Sequence, residues 1–209
     1  MAVYTPSYPL TLPTATGITT QNFSLLRVVA VTESPFTKQE QVYEHEGSQW
    51  KATVTLPPML KTNASIWLAF LMSLRGQRGT FKLGDQDRKT IQGVATGTIL
   101  VNGAAQTGNA IDLDGFANST NNVFKAGDYI QINSYLYMVS ADVNSNGSGE
   151  ATVYVEPSLR TGIEAINDNT TVLYSNTTTI MRLDTNELEW QTDNVSKYGI
   201  SFSCSESLS

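Results

Sequence analysis

Apolar residues in this chain fall mostly in short runs or in every second position, and one segment alone carries a helical stripe. Residues 22–31, NFSLLRVVAV, are aliphatic and β-branched over the length of a strand, and Glu33-Ser34-Pro35 ends the run. That pattern predicts a buried strand. Around Trp50 the alternation is strict, with Trp50, Ala52, Val54 and Leu56 on one face and Lys51, Thr53 and Thr55 on the other, stopped by Pro57-Pro58. A half-buried strand follows from it. Next, Ile66, Trp67, Phe70, Leu71 and Leu74 recur at helical spacing, and this predicts a helix over residues 63–75, opened by Asn63 as N-cap and closed by Gly76. Arg75 then sits in the last turn, where a cation suits the helix dipole. Residues 79–84, GTFKLG, read as one more short strand.

From residue 93 the texture changes to small residues, with Gly93, Gly97, Gly103 and Gly108, and short β segments. The clearest is a hairpin: YIQI at 129–132, a two-residue turn Asn133-Ser134, and YLYMV at 135–139. A strand at 151–155 follows a turn-rich stretch at 142–149 and ends near Pro157. Strands of this length and spacing suggest a small barrel. Segments 178–183, 188–190 and 198–204 then return the chain to the first sheet. At the start, Pro6, Pro9 and Pro13 make residues 1–22 an extended arm, of the kind that clasps a neighbouring subunit. The expected fold is therefore mainly β: a β-sandwich of residues 23–92 and 176–209 with one packed α-helix, and an inserted small β-barrel-like module at 93–175.

Composition narrows the function classes. Only 15% of the 209 residues are charged, so the surface is largely hydroxyl and amide, and such groups desolvate at lower cost than charges when they are hydrogen-bonded again. The formal net charge of −6, without any Lys/Arg cluster, argues against a nucleic-acid partner. The N-terminus carries no secretory signal, the longest apolar run (66–72) is far too short to span a bilayer, and the expectation is a protein made in a cytoplasm without membrane insertion.

Candidate chemistry is sparse. One Cys and one His leave no Cys/His zinc set and no internal disulfide. His45, the sole imidazole, sits in Glu44-His45-Glu46 with no nucleophile motif nearby, and Cys204 reads as a small buried or interfacial residue. Carboxylates two apart occur at Asp85/Asp87, Asp112/Asp114 and Glu187/Glu189, a spacing that puts both on one face of a strand; all lie beside turns, where acids occur for local reasons. Asp142-x-Asn144-x-Asn146-Gly147 copies half of a calcium loop, but Val153 stands where the closing Glu belongs, so it reads as a solvated turn. Asn-x-Ser/Thr triplets are what a chain rich in these residues produces by chance. No phosphate-binding glycine motif is present. The expectation is no catalytic residue, no metal and no cofactor. Tyr129, Tyr135, Tyr137 and Tyr154 stand apart as possible contacts for a glycan or a partner, since tyrosines on a small barrel can stack on sugar rings.

The order WKATVTLPP from Trp50, the helix running into FLMSLRG at 70–76, GTFKLGD at 79–85, GDYIQI at 127–132 and MRL at 181–183 resembles the distal tail proteins of tailed bacteriophages. The resemblance spans most of residues 40–204 and carries no active-site motif. It implies a non-enzymatic virion protein of the tail tip or baseplate, a β-sandwich with a helix that closes into a ring, commonly a hexamer. Such a ring joins the tail tube protein to the hub and tip proteins and is assembled in the bacterial host cytoplasm. The alternatives left open are a host-attachment module that binds a surface glycan, and a tail tube or tube-terminator subunit.

Overall fold

A computed structural model describes residues 5–208; the first four residues of the expected arm and the last residue of the chain lie outside the described residues. In chain order the elements are β1 (Leu10–Thr11), β2 (Thr20–Glu33), β3 (Glu40–Thr55), β4 (Met59–Leu60), α1 (Lys61–Leu74), a short 3-10 turn (Gly76–Arg78) and β5 (Thr80–Leu83). Six short strands follow: β6 (Ile99–Val101), β7 (Ala110–Asp114), β8 (Tyr129–Ile132), β9 (Tyr135–Val139), β10 (Ala151–Glu156) and β11 (Thr171–Leu173). The chain ends with β12 (Thr179–Leu183), β13 (Trp190–Thr192) and β14 (Lys197–Glu206). The fold is mainly β, with one helix, one large sheet and a separate closed barrel.

The large sheet runs β1-β5-β12-β14-β3-β2, and all neighbours are antiparallel except the β1–β5 pair. The N-terminal end of β14 pairs with β4 on one side and β13 on the other, so β3 and β4 form one interrupted line along β14. Helix α1 lies on the core face: Ala64, Trp67, Phe70, Leu71 and Leu74 are buried against Phe81, Met181 and Phe202 in one cluster. Ile66, expected in that stripe, is exposed instead. Each fully buried large side chain of this kind stabilises the fold by about 1.5–3 kcal/mol.

The helix is capped three residues earlier than the capping signal predicts. Leu60 occupies the N-cap with no side-chain hydrogen bond, and Asn63 lies inside the first turn. The cause is the pairing of Met59 and Leu60 with Tyr198 and Lys197, which fixes where the chain leaves the sheet and overrides local capping preference. At the other end Arg75 itself is the C-cap, in the left-handed region at φ 54, ahead of Gly76 at φ 66.

The arm lies on its own chain. Tyr8, Leu10, Leu12 and Ile18 pack against the sheet–helix core, the Tyr8 hydroxyl donates to Ser73 O (2.7 Å), and Trp67 Nε1 donates to Thr16 Oγ1 (2.9 Å). Residues 10–11 add to β5 as a short parallel strand. Within the described residues the arm therefore packs on its own sheet and helix.

The barrel closes in the order β10-β7-β6-β11-β8-β9, every pair antiparallel. Its interior holds Ile99, Val101, Ile111, Leu113, Ile130 and Val153, all fully buried. Its way in and its way out run side by side. Asn176 N–H donates to Lys89 O (2.7 Å), and β5 and β12, which precede and follow the module, are paired directly from Leu83↔Thr179 onward. The buried Asp128 carboxylate fixes the entrance by accepting the N–H groups of Gln92 (2.6 Å), Gly93 (3.0 Å) and Lys125 (2.8 Å).

Candidate assembly surface

Strands β2 and β3 stay paired from Thr20↔Thr55 to Glu33↔Glu40, yet only their inner halves lie on the core. Phe23 and Leu25 are half-buried and Trp50, Ala52 and Val54 buried; past an irregularity between Leu26 and Val28, β2 is exposed throughout. Residues 26–45 therefore project as a two-stranded ribbon beyond the C-terminal end of β14. The turn is held by Ser34, whose N–H and carbonyl bond Gln39 and Lys38, with a Lys38–Glu33 ion pair of 2.6 Å beside it. Phe36 at the tip is 94% exposed.

Directly paired residues share a face, so one face of the ribbon carries Val28, Ala30 and Tyr43, and the other carries Val29, Val31 and Val42. The first face also carries Thr32, Gln41 and His45 and the second Glu33, Glu40 and Glu44, so exposed apolar side chains alternate with polar ones on both, and among the described residues neither face belongs to a core cluster. A two-stranded hairpin is at best marginally stable in water on its own, and β2 also offers a free hydrogen-bonding edge. Seven of the exposed large apolar residues fall in this one projecting element, which makes it the candidate interaction surface.

The ribbon's base is held by the barrel. Arg27, at the irregularity, lies 3.2 Å from Glu44 and 3.0 Å from Glu156 at the end of β10, the latter a contact of charge without hydrogen-bond alignment. Beneath it is a buried clamp. Arg160 Nη2 donates to Ser48 O (2.6 Å) on β3 and to Glu206 Oε2 (2.8 Å) on β14, Trp50 N–H reaches the same oxygen (3.2 Å), and the Thr179 hydroxyl donates to Oε1 (2.9 Å). Arg160 N–H in turn donates to the Tyr137 hydroxyl (3.0 Å). Burial holds the Glu206 carboxyl above its ordinary value, opposed by Arg160 and by the two neutral donors. An aromatic contact completes the joint: Trp50 packs edge-on to Tyr129 of the barrel at 5.8 Å between centroids, Phe23 lies beside both, and Trp50 Nε1 donates to Leu136 O (2.9 Å). Sheet, ribbon base and barrel thus share one junction, flanked by a cleft of about 450 Å³ that His45 and Arg160 help to line.

The four tyrosines do not form one surface. Tyr129 is buried in the sheet–barrel joint, Tyr135 and Tyr137 are buried in the barrel cluster, and Tyr154 alone is exposed. Burial raises the Tyr129 phenol to about 12, and the Tyr135 and Tyr137 phenols also rise for the same reason. Three of the four positions expected to meet a glycan or partner are closed to solvent. Cys204 is fully buried, its thiol pushed up to about 12 by that burial, and His45 lies on the exposed ribbon opposite Val28. Asp85 caps its own turn by accepting Asp87 N–H (3.0 Å), and Asp112 accepts the Thr152 hydroxyl (2.6 Å). In the 142–147 loop the side-chain oxygens of Asp142, Asn144 and Asn146 each accept backbone N–H groups, from Ala126, Asn122, and Ser148 with Glu150. Those oxygens order turns.

Sequence reasoning missed the ribbon as an exposed element, and missed Arg160 and Glu206. Glu206 had a signal: it falls in phase with Ile200, Phe202 and Cys204 on the buried face of β14. No helix among the described residues is long and apolar enough to cross a membrane. No protein-family model and no curated protein matches the chain.

Proposed function

We propose that this chain is a non-enzymatic structural protein that self-assembles into a ring at the tip of a phage tail, joining the tail tube to the hub and host-attachment proteins. The observation that carries the reading is the projecting ribbon, whose exposed Val28, Val29, Val31, Phe36, Val42 and Tyr43 lie outside both core clusters of the described residues. The low charge density supports assembly, and the sheet, helix and inserted barrel follow the order of elements on which the resemblance to distal tail proteins rests. The glycan-attachment alternative keeps only Tyr154 of its four contact residues.

Light scattering coupled to gel filtration, with negative-stain imaging of the purified protein, tests it. The expected result is a closed ring, six-fold on the resemblance, that also caps purified tail tubes. A chain that stays monomeric at every concentration and binds no tail component refutes it.

A further inference from the structure

Strand β2 is the last strand on its side of the large sheet, and no strand among the described residues lies beside its outer edge. Edges of such length are normally blunted by Pro, Lys or a bulge. β2 contains neither residue, and at its irregularity the surplus lies in β3, where residues 46–48 stand against Arg27 alone. The outer edge of the ribbon therefore runs on unbroken to Pro35, which lacks an N–H and ends it.

We propose that two copies pair edge to edge along β2, antiparallel about a two-fold axis through Ala30, so that two ribbons form one four-stranded sheet. The strand itself identifies the partner as a second copy. A two-fold axis normal to the sheet keeps each face on its own side, so odd residues meet odd ones and only registers two residues apart are open. With Ala30 opposite Ala30, Arg27 of each copy stands opposite Glu33 of the other. These are the only two charged residues of β2, and both lie on the face of Val29 and Val31. Moving the register by two residues either way sets Arg27 against Val31 or Pro35, and Glu33 against Leu25 or Val29. One register alone is self-complementary in charge.

Both charges already have partners within their own chain, Glu44 and Glu156 for Arg27 and Lys38 for Glu33. They therefore select the register, while backbone bonds and apolar contact supply the strength. On the joined sheet Val29, Val31 and Val42 of both copies become one apolar group. Because the two strands run oppositely, the body of each copy lies beyond the tip of the other's ribbon. The contact is closed by two copies and does not depend on the ring reading.

The native Cys204 is buried, so a thiol placed on the ribbon reads the contact in the full-length chain. Ala30→Cys should give a disulfide-linked dimer on mild oxidation, since directly paired residues hold their Cα atoms about 4.5–5.5 Å apart. Val42→Cys, three strand spacings or at least about 14 Å from its counterpart, should not. Arg27→Glu alone and Glu33→Arg alone each set like charges opposite one another twice, and each should weaken dimerisation about tenfold in sedimentation at low salt. An equal mixture of these two variants restores both opposite pairs and should form a heterodimer tighter than either homodimer by the same factor. A mixture that associates no better than its components would overturn the proposal, as would covalent dimers from Val42→Cys in place of Ala30→Cys. Rings in which Ala30→Cys never cross-links would overturn this contact and leave the ring reading standing; a protein monomeric at every concentration would overturn both.

Discussion

Replacing Arg160 by Met removes the charged partner from a Glu206 carboxylate whose side chain is wholly shielded from water. The guanidinium bonds both Ser48 O and Glu206 Oε2, so its loss leaves the carboxylate with two neutral donors and strips a donor from the Ser48 carbonyl. Breaking one side of a buried pair costs about 3–5 kcal/mol. For a chain of this length, with roughly 2–4 °C per kcal/mol, the variant should melt about 10 °C lower. Urea unfolding followed by tryptophan fluorescence reads the same loss. The companion Glu206→Gln should be destabilising too, and the double variant should lose less than the sum of the singles by at least about 1 kcal/mol, because it leaves no isolated charge behind.

The pH dependence has a definite sign. Glu206 already titrates above its unfolded value of 4.5 because burial outweighs Arg160, and removing Arg160 raises it further. A raised carboxyl favours the folded state fully below the unfolded value and loses that contribution as pH rises through the folded one. The deficit of Arg160→Met should therefore shrink between about pH 7.5 and about pH 5. Equal deficits at both, or strictly additive single variants, would refute the clamp as described.

Other outcomes follow from the same coordinates. Gly84→Ala places a Cβ against the Thr177 carbonyl, a backbone atom that cannot swing away, and should cost about 1–3 kcal/mol or more in unfolding experiments. Trp50→Phe keeps most of the ring packing but orphans the buried Leu136 carbonyl, and should cost about 1–3 kcal/mol, measured by denaturation. Phe36→Ser, at the ribbon tip, should leave monomer unfolding within about 0.5 kcal/mol of wild type while lowering the fraction of assembled protein seen by light scattering. Cys204 should be inert to a thiol reagent in the native protein at pH 8 and react at once in denaturant, since burial keeps its thiol protonated.

How much of this was legible depended on whether a feature is local. The β8–β9 hairpin was, because two strand-like runs flank Asn133, which takes φ 54 in the turn, as its type tolerates. So were β5, β12 and most of β14. The burial of the tyrosines was not. Strand β8 is closed off on its inner face by the barrel and on its outer face by the sheet, so all four of its residues are buried and alternation carries no information there. The run at 22–31 predicts a buried strand from its composition, but its outer half has nothing to pack against, and only the tertiary arrangement decides that. Residues 40–46 hide their strand because Glu, Gln and His break the apolar pattern on a ribbon that needs no buried face. Arg160 and Glu206 lie 46 residues apart, beyond what any window of sequence can pair.

The adjacent entrance and exit of the barrel have a further consequence. Because β5 and β12 are already antiparallel neighbours, the whole barrel is an elaborated hairpin loop, and the sheet's hydrogen bonding would be complete with a few linking residues in its place. Modules can therefore be exchanged at residues 86–176 without disturbing strand order. What such an exchange must replace is a cover for Trp50 and Phe23, acceptors for Trp50 Nε1 and Thr178 N–H, and a cation for Glu206. A lineage could alter what projects from this protein while keeping unchanged the free β2 edge and the ribbon.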